Sequence, residues 1–317
     1  MSSKTTLREI FERSERCFLV PCVYDCASAR AVEMCGFPVM LLSGGELSIA
    51  MNGVIDYGFT GLTELEWMVS RISQTSSIPL IADIEDGFGG PLAVYRSAKR
   101  LSAAGAAAVQ LEDAGDMENT TRLLPRELYY SKIRAAAEAL KGTDCLLIAR
   151  TNADPDSPDE FDEGCTRMRE SMEMGAGMAM IVKVGTYEQA KYMAERVPGW
   201  KIFADVRADS GLPSVTMEQL TRLGFKCAST HYTLKAAMEG MLEHGLANFK
   251  DQSVAYTFTH APATRIMGYS ATPLFDPQGY MELEKSFTKQ DKEYTIVGHR
   301  VESFPEGFVR SGIKDRL

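Results

Sequence analysis

Asp83, Glu85 and Asp86 close a short apolar run, Ile78-Pro79-Leu80-Ile81-Ala82, and glycines follow at 87, 89 and 90. On an extended backbone, residues two apart project to the same side, so Asp83 and Glu85 read as a same-face pair. Adjacent carboxylates repel, and each is costly to desolvate without a partner. A divalent cation relieves both problems. Hard oxygen donors suit Mg²⁺, with Mn²⁺ as the alternative. The glycines remove side chains where the backbone turns or a ligand approaches. A solvated acidic turn would look the same in isolation, so the weight of the reading rests on the other strand ends.

The elements that must position these residues alternate. Short apolar runs at 18–23, 39–42, 78–83, 107–111, 145–149, 178–182, 202–204 and 227–230 read as strands. Amphipathic stretches lie between them: 27–35, 63–74, 91–104, 126–140, 160–174, 186–197, 216–223 and 232–243, with a further helix at 5–16 ahead of the first strand. Thr63 is placed as an N-cap with Glu66 completing a capping box. Strand–helix alternation implies a parallel sheet, and eight units predict closure into a (β/α)₈ TIM barrel over residues 1–250. A doubly wound open sheet ranks second, and no G-x-G-x-x-G follows the first strand to support it. Residues 251–317 lose the alternation. They are expected to form an extension, with a helix near 278–289, that packs on the barrel or on a neighbouring subunit.

Composition narrows the function. With 34 basic and 43 acidic residues the net charge is −9, which argues against nucleic acid as a partner. An anionic substrate stays open, because a local metal inverts the field of a site. Seven cysteines, an odd number without a framework of spacings, point to a reducing, cytoplasmic setting. Cys22 and Cys26 lack the second pair or nearby His that a zinc site needs. No apolar run reaches membrane-spanning length.

A barrel keeps its chemistry at the carboxyl ends of its strands. The polar residues predicted there are Asp25, Ser43, Asp83, Glu85, Asp86, Glu112, Asp113, Arg150, Lys183, Asp205, Arg207 and His231. Acidic ends around Arg150 suggest a metal facing an anionic substrate, with Arg150 able to hold a carboxylate through two hydrogen bonds. Ser43-Gly44-Gly45 offers a hydroxyl and successive backbone N–H groups to an anion. The competing reading makes Arg150 a structural counter-ion, Ser43-Gly44-Gly45 a turn, Lys183 a rim residue and His231 a satisfied core histidine.

Five segments in order, Tyr24-Asp25-Cys26-Ala27-Ser28-Ala29-Arg30, Leu42-Ser43-Gly44-Gly45, Ala82-Asp83-Ile84-Glu85-Asp86-Gly87-Phe88-Gly89, Gln110-Leu111-Glu112-Asp113 and Ile148-Ala149-Arg150-Thr151-Asn152-Ala153, resemble the isocitrate lyase/phosphoenolpyruvate mutase superfamily. The resemblance covers about residues 5–245. It implies a (β/α)₈ barrel with a swapped C-terminal helix, a homotetramer, and Mg²⁺ chelated by a 2-oxo or 2-hydroxy acid. By position, Asp83 resembles the inner metal ligand, with Asp25, Glu85 and Glu112 around metal-bound water. Tyr24, Ser43, Gly44, Gly45 and Arg150 match substrate-binding positions.

Two departures shape the expected reaction. Glu85 stands where the family often has Asp. The lid segment 114–122, Ala-Gly-Asp-Met-Glu-Asn-Thr-Thr-Arg, has no Cys, His or Lys, unlike the isocitrate-type lyases with their acid cysteine. The segments around Lys183 and His231 resemble the oxaloacetate decarboxylase branch. The expected function is a Mg²⁺-dependent lyase that decarboxylates, or cleaves by retro-aldol reaction, a small 2-oxo or 2-hydroxy acid. In it Asp25, Arg150 and His231 are catalytic, and Asp83, Glu85 and Glu112 hold the metal. The alternatives are a phosphonopyruvate mutase or hydrolase and a non-catalytic oxo-acid-binding barrel.

Overall fold

The computed structural model describes residues 5–114, 123–206, 213–260 and 272–287. In chain order its elements are α1 (Leu7–Arg13), β1 (Phe18–Val23), α2 (Cys26–Met34), β2 (Met40–Leu42), α3 (Gly44–Asn52), α4 (Leu62–Thr75), β3 (Leu80–Asp83), α5 (Pro91–Ala104), β4 (Ala108–Glu112), α6 (Arg126–Leu140) and β5 (Leu146–Thr151). Then follow α7 (Pro158–Glu173), β6 (Met178–Ile181), α8 (Tyr187–Arg196), β7 (Trp200–Phe203), α9 (Met217–Arg222), β8 (Phe225–Thr230), α10 (Thr233–Asp251), α11 (Ala255–Thr259), a 3₁₀ turn (Thr272–Phe275) and α12 (Pro277–Phe287).

The eight strands pair in sequence order, all parallel, and β8 closes on β1 through pairs such as Phe18 with Cys227 and Val20 with Ser229. This is the expected (β/α)₈ barrel. Strand periodicity of two divides each strand between two cores. Val109, Leu111, Leu147 and Ala149 face the helices. Ile81, Ala108, Leu146 and Ile148 face the barrel axis. At the amino-terminal end, α1 sends buried Leu7 and Phe11 into the inner core, where Phe11 stacks on Phe18 at 5.8 Å and meets Trp200 edge-on at 5.5 Å.

Local chemistry sets the helix ends. Thr6, Thr186 and Thr216 each close a capping box, and Pro91 opens α5 before Gly105 ends it in the left-handed region. Two expectations need correction. Helix α4 starts at Leu62, with Gly61 as N-cap and Glu64 reaching back to the Gly61 N–H at 3.1 Å, so Thr63 and Glu66 are not the cap pair. Glu66 instead pairs with Arg100 on α5. The segment 44–52, left unassigned in sequence, forms α3, because Ser43 accepts from the Glu46 N–H at 3.3 Å and starts a helix there.

Of the extension, the 3₁₀ turn touches the barrel. Leu274 O accepts from Arg30 Nε on α2 at 2.8 Å. The lid residues 115–122, Arg207 and residues 288–317 lie outside the described residues.

Candidate active site

Inward parity builds the site. Counting along each strand from the inner-core residues, Ile81 leads to Asp83, Ala108 to Gln110 and Glu112, and Ile148 to Arg150. Register sets them side by side: Asp83 is opposite Gln110, and Glu112 opposite Arg150. Arg150 then binds two carboxylates at once, Nη1 to Asp83 Oδ2 at 2.7 Å and Nη2 to Glu112 Oε2 at 2.8 Å. Asn152 Nδ2 donates to the same Glu112 oxygen at 3.0 Å. Burial lowers the Arg150 pKa, but Glu112, Asp83 and Glu85 outweigh it and keep the guanidinium charged.

A second layer fixes this one. Asp113 has outward parity and is fully buried. It accepts from Thr151 Oγ1 at 2.7 Å, Asn152 N at 2.9 Å and Arg167 Nη1 at 3.1 Å. Tyr129 donates its hydroxyl to Arg150 O at 2.9 Å. Lys132, also buried, holds Asp86 through both its carbonyl (2.8 Å) and its carboxylate (2.9 Å).

Glu85 does not share the strand face of Asp83, as the extended reading had it. Strand β3 ends at Asp83, and Glu85 sits at φ 50°, followed by Gly87 at 86° and Phe88 at 64°. The chain curls here because Asp83 Oδ1 accepts from Glu85 N at 3.2 Å while Glu85 O accepts from Glu112 N at 2.9 Å. The turn throws the Glu85 carboxylate against Gly44, where an added Cβ would collide with Oε1. Burial, then Asp83, Asp56 and Glu112, push the Glu85 carboxyl up to about 9 against the pull of Arg150. Glu112 is likewise raised, by burial first.

The cavity beside this cluster has a volume of about 760 Å³. Ser43, Gly45, Asp83 and Arg150 line one part of it, and His231 and Lys235 another. Ser43-Gly44-Gly45 begins the nine-residue helix α3, so its N–H groups and the helix dipole favour an anion. His231 Nδ1–H donates to Asp205 Oδ1 at 3.2 Å, which raises the imidazole pKa. Burial opposes that rise, and Glu46 and Asp83 add to it.

Asp25 and Tyr24 are not in the cavity lining. Asp25 is the N-cap of α2, accepting from Ser28 N at 2.7 Å. Lys183 is also absent from the lining, as are Gly44, Glu85 and Glu112. Sequence reasoning missed Asp56 and Glu46, both of which line the cavity. Burial raises the pKa of each, Asp83 adding to the effect at Asp56 and His231 opposing it at Glu46. A signal existed for Glu46, three residues past Ser43 at a helix start. Asp56 lies in a loop, with no periodicity to mark it.

Among the described residues, no three His, Cys, Asp or Glu side chains stand ready to hold a metal ion. Arg150 occupies Asp83 and Glu112 instead. The donor chemistry still fits a hard divalent cation. Asp56, Asp83, Glu85 and Glu112 are all oxygen donors, and a single guanidinium leaves their charge in excess, as the raised Glu85 carboxyl records. The buried Arg150 Nε has no hydrogen-bond partner among the described residues, so the cluster has an unfilled donor as well.

A parallel eight-stranded barrel whose carboxylates and arginine meet at the strand carboxyl ends has the construction of a TIM-barrel enzyme site. The chain belongs to the phosphoenolpyruvate phosphomutase family, whose model matches residues 7–249, within the PEP mutase/isocitrate lyase superfamily. It is 32% identical over 229 residues to the petal death protein of Dianthus caryophyllus, covering 70% of each chain. It is 29% identical over 287 residues to a 2-methylisocitrate lyase of Aeropyrum pernix, covering 88% of each. An oxaloacetate decarboxylase of Pseudomonas putida is 34% identical over 188 residues, 58% of this chain and 64% of that one. The fold matches the crystal structure of 2,3-dimethylmalate lyase at TM-score 0.79, with 24% identity over 92% of this chain and 98% of that one. It matches phosphonopyruvate hydrolase, solved with oxalate and Mg²⁺, at TM-score 0.74, with 24% identity over 88% and 96%.

Proposed function

We propose that the protein is a Mg²⁺-dependent lyase acting on a small 2-oxo or 2-hydroxy carboxylic acid, by decarboxylation or retro-aldol cleavage. The observation that carries this reading is the meeting of Asp83, Glu85 and Glu112 with Arg150 beside the α3 amino terminus, at the strand carboxyl ends. The names of the relatives support it. They are a methylisocitrate lyase and an oxaloacetate decarboxylase, with a structural neighbour that binds oxalate and Mg²⁺.

Asp83, Glu85 and Glu112 would hold the cation, directly or through water. Bound there, Mg²⁺ supplies Lewis-acid stabilisation of the charge that develops on the 2-oxygen. The remaining work belongs to the chain itself. Arg150 and the N–H groups of Gly44 and Gly45 orient the acid's carboxylate. His231, held by Asp205, presents its other ring nitrogen to the distal part of the substrate, as a specificity or proton-relay group. Asp25 and Tyr24 act from beside the cavity.

The methylisocitrate branch is disfavoured by the sequence of segment 114–122, which lacks the acid cysteine. Phosphorus–carbon chemistry is the second reading, favoured by the family description itself. A panel of 2-oxo and 2-hydroxy acids with Mg²⁺, assayed for pyruvate or CO₂ and followed in parallel by phosphorus NMR with phosphonopyruvate, separates the two. Turnover of no acid, with tight oxalate binding, would leave a binding protein.

The chain is also proposed to be cytoplasmic and to self-associate as a homotetramer. All seven cysteines are free, and among the described residues no helix is long and apolar enough to cross a membrane. Helix α10 exposes Met241, Leu246 and Phe249 at 60%, 68% and 76%, an apolar face that a second copy would cover. Light scattering on the purified chain tests the assembly.

A further inference from the structure

Gln110 lies one layer beneath the carboxylates on the inner face of β4. It is opposite Asp83 in register and two residues before Glu112, and it lines the cavity. It is 1% exposed, and its Oε1 is buried with no hydrogen-bond partner among the described residues. A buried amide oxygen without a partner costs stability, so native structures tolerate it chiefly where a ligand or ordered water completes it. Arg150 Nε, the other unpartnered atom of the cluster, makes no bond to it. Asp83 and Glu112 are acceptors already turned to Arg150, and the inner-core residues around it, Ile81, Ala108 and Ile148, are apolar.

The charged groups above recognise a carboxylate and cannot tell a hydroxyl from a carbonyl. A glutamine amide held with its oxygen toward the ligand can, since that oxygen accepts a hydroxyl hydrogen and a carbonyl has none to give. We propose that Gln110 is a specificity-determining residue that accepts the hydroxyl hydrogen of the bound acid at the cavity floor, so that the site selects 2-hydroxy acids over analogues without the hydroxyl. A half-turn of the amide would present its NH₂ instead, and that orientation would leave the hydroxyl hydrogen unused. This inference rests on the site binding small carboxylates as proposed above and deepens that reading.

Calorimetry on the full chain with Mg²⁺, using oxalate, malate and succinate, tests it. Malate and succinate differ only by the hydroxyl, and oxalate has none. Wild-type protein should bind malate at least about tenfold more tightly than succinate, the scale of one buried hydrogen bond. Gln110→Met, close in volume, should narrow that gap by about tenfold and leave succinate and oxalate affinities within about twofold. Gln110→Glu keeps an acceptor but adds a carboxyl group to the cluster, so all three affinities should fall while the malate–succinate ratio is retained. If wild type shows no gap, or if Gln110→Met weakens all three ligands equally, the assignment is overturned. If wild type fails to bind even oxalate, the parent reading has failed instead. Should Gln110→Met not fold, Gln110→Asn takes its place: its amide is one methylene shorter and should narrow the gap, and an unchanged gap overturns the assignment.

Discussion

Arg150 Nη1 stands 2.7 Å from Asp83 Oδ2, joining the residue expected to carry the metal to the residue expected to carry the substrate. The pair is one-fifth exposed or less on both sides, so each partner depends on the other for its charge balance. Asp83→Asn should therefore disturb Arg150 as well as any metal. Loss of turnover by at least about a thousandfold is expected, with metal-free folding largely intact. Steady-state kinetics on the substrate found by the panel, beside a thermal melt, check this. Turnover within tenfold of wild type would remove Asp83 from the chemistry.

Replacing Arg150 by Lys keeps the charge but loses the planar fork that reaches Asp83 and Glu112 together. About a hundredfold loss in kcat/KM is expected, weighted toward KM if the arginine holds the substrate carboxylate. An unchanged KM with a reduced kcat would assign Arg150 to a transition-state role alone.

The metal requirement should appear in stability as well as in rate. Four carboxylates around one guanidinium repel, and a cation that binds only the folded chain stabilises it by about 2.7 kcal/mol at a hundred times its Kd. For a domain of this size that corresponds to a rise of several degrees in Tm. With its carboxyl pushed up to about 9, Glu85 is largely protonated at neutral pH until a cation binds, so Glu85→Gln removes little charge from the metal-free protein. The variant should melt close to wild type without metal and gain less on adding Mg²⁺. Equal Mg²⁺ responses in scanning calorimetry would show that Glu85 does not hold the ion.

Much of this arrangement is legible in the sequence. Eight apolar runs and their polar ends were enough to give the barrel, because a buried parallel strand leaves little room for any other pattern. Asp83, Glu112 and Arg150 followed from standing at the carboxyl ends of those runs and from the five family-like segments. Glu46 carried a signal, three residues past Ser43 at a helix start, but the two glycines that open α3 masked it. Two things were not legible, each for a physical reason. Asp56 comes to the cavity from a loop, by tertiary placement alone. Glu85 was placed on an extended backbone, whereas its positive φ depends on hydrogen bonds to Asp83 and Glu112 that exist only in the folded barrel.

Behind the site, Arg167→Met should be the more damaging change to stability. It strips Asp113, which is fully buried, of its cationic partner and leaves the Thr151 and Asn152 donors to carry the charge alone. Breaking a buried pair from one side costs about 3–5 kcal/mol. Because Asn152 also holds Glu112, activity should fall with stability. Chemical denaturation of Arg167→Met beside Arg167→Lys measures the loss, and a cost below about 1 kcal/mol would mean that Asp113 is balanced by other groups.

His231 supplies the last prediction, with a definite sign. The hydrogen bond to Asp205 is the largest influence on it. Burial opposes the shift, the Asp205, Glu46 and Asp83 charges assist, and the result is a folded pKa above the ordinary 6.5. A histidine whose pKa rises on folding binds its proton more tightly when folded. The stabilisation it brings is complete below the unfolded pKa and disappears as pH rises through the folded one. The side chain is 43% exposed, so solvent screens this contribution and the change in stability should be small. The titration midpoint itself is the sharper measurement. Asp205→Asn removes the carboxylate that holds Nδ1–H, and the His231 ring-proton midpoint in NMR should drop toward or below the free-imidazole value. If His231 donates a proton in turnover, the alkaline limb of the kcat profile should move down by the same interval. A midpoint that stays put in Asp205→Asn would mean that Glu46 and Asp83, not Asp205, keep the imidazole charged.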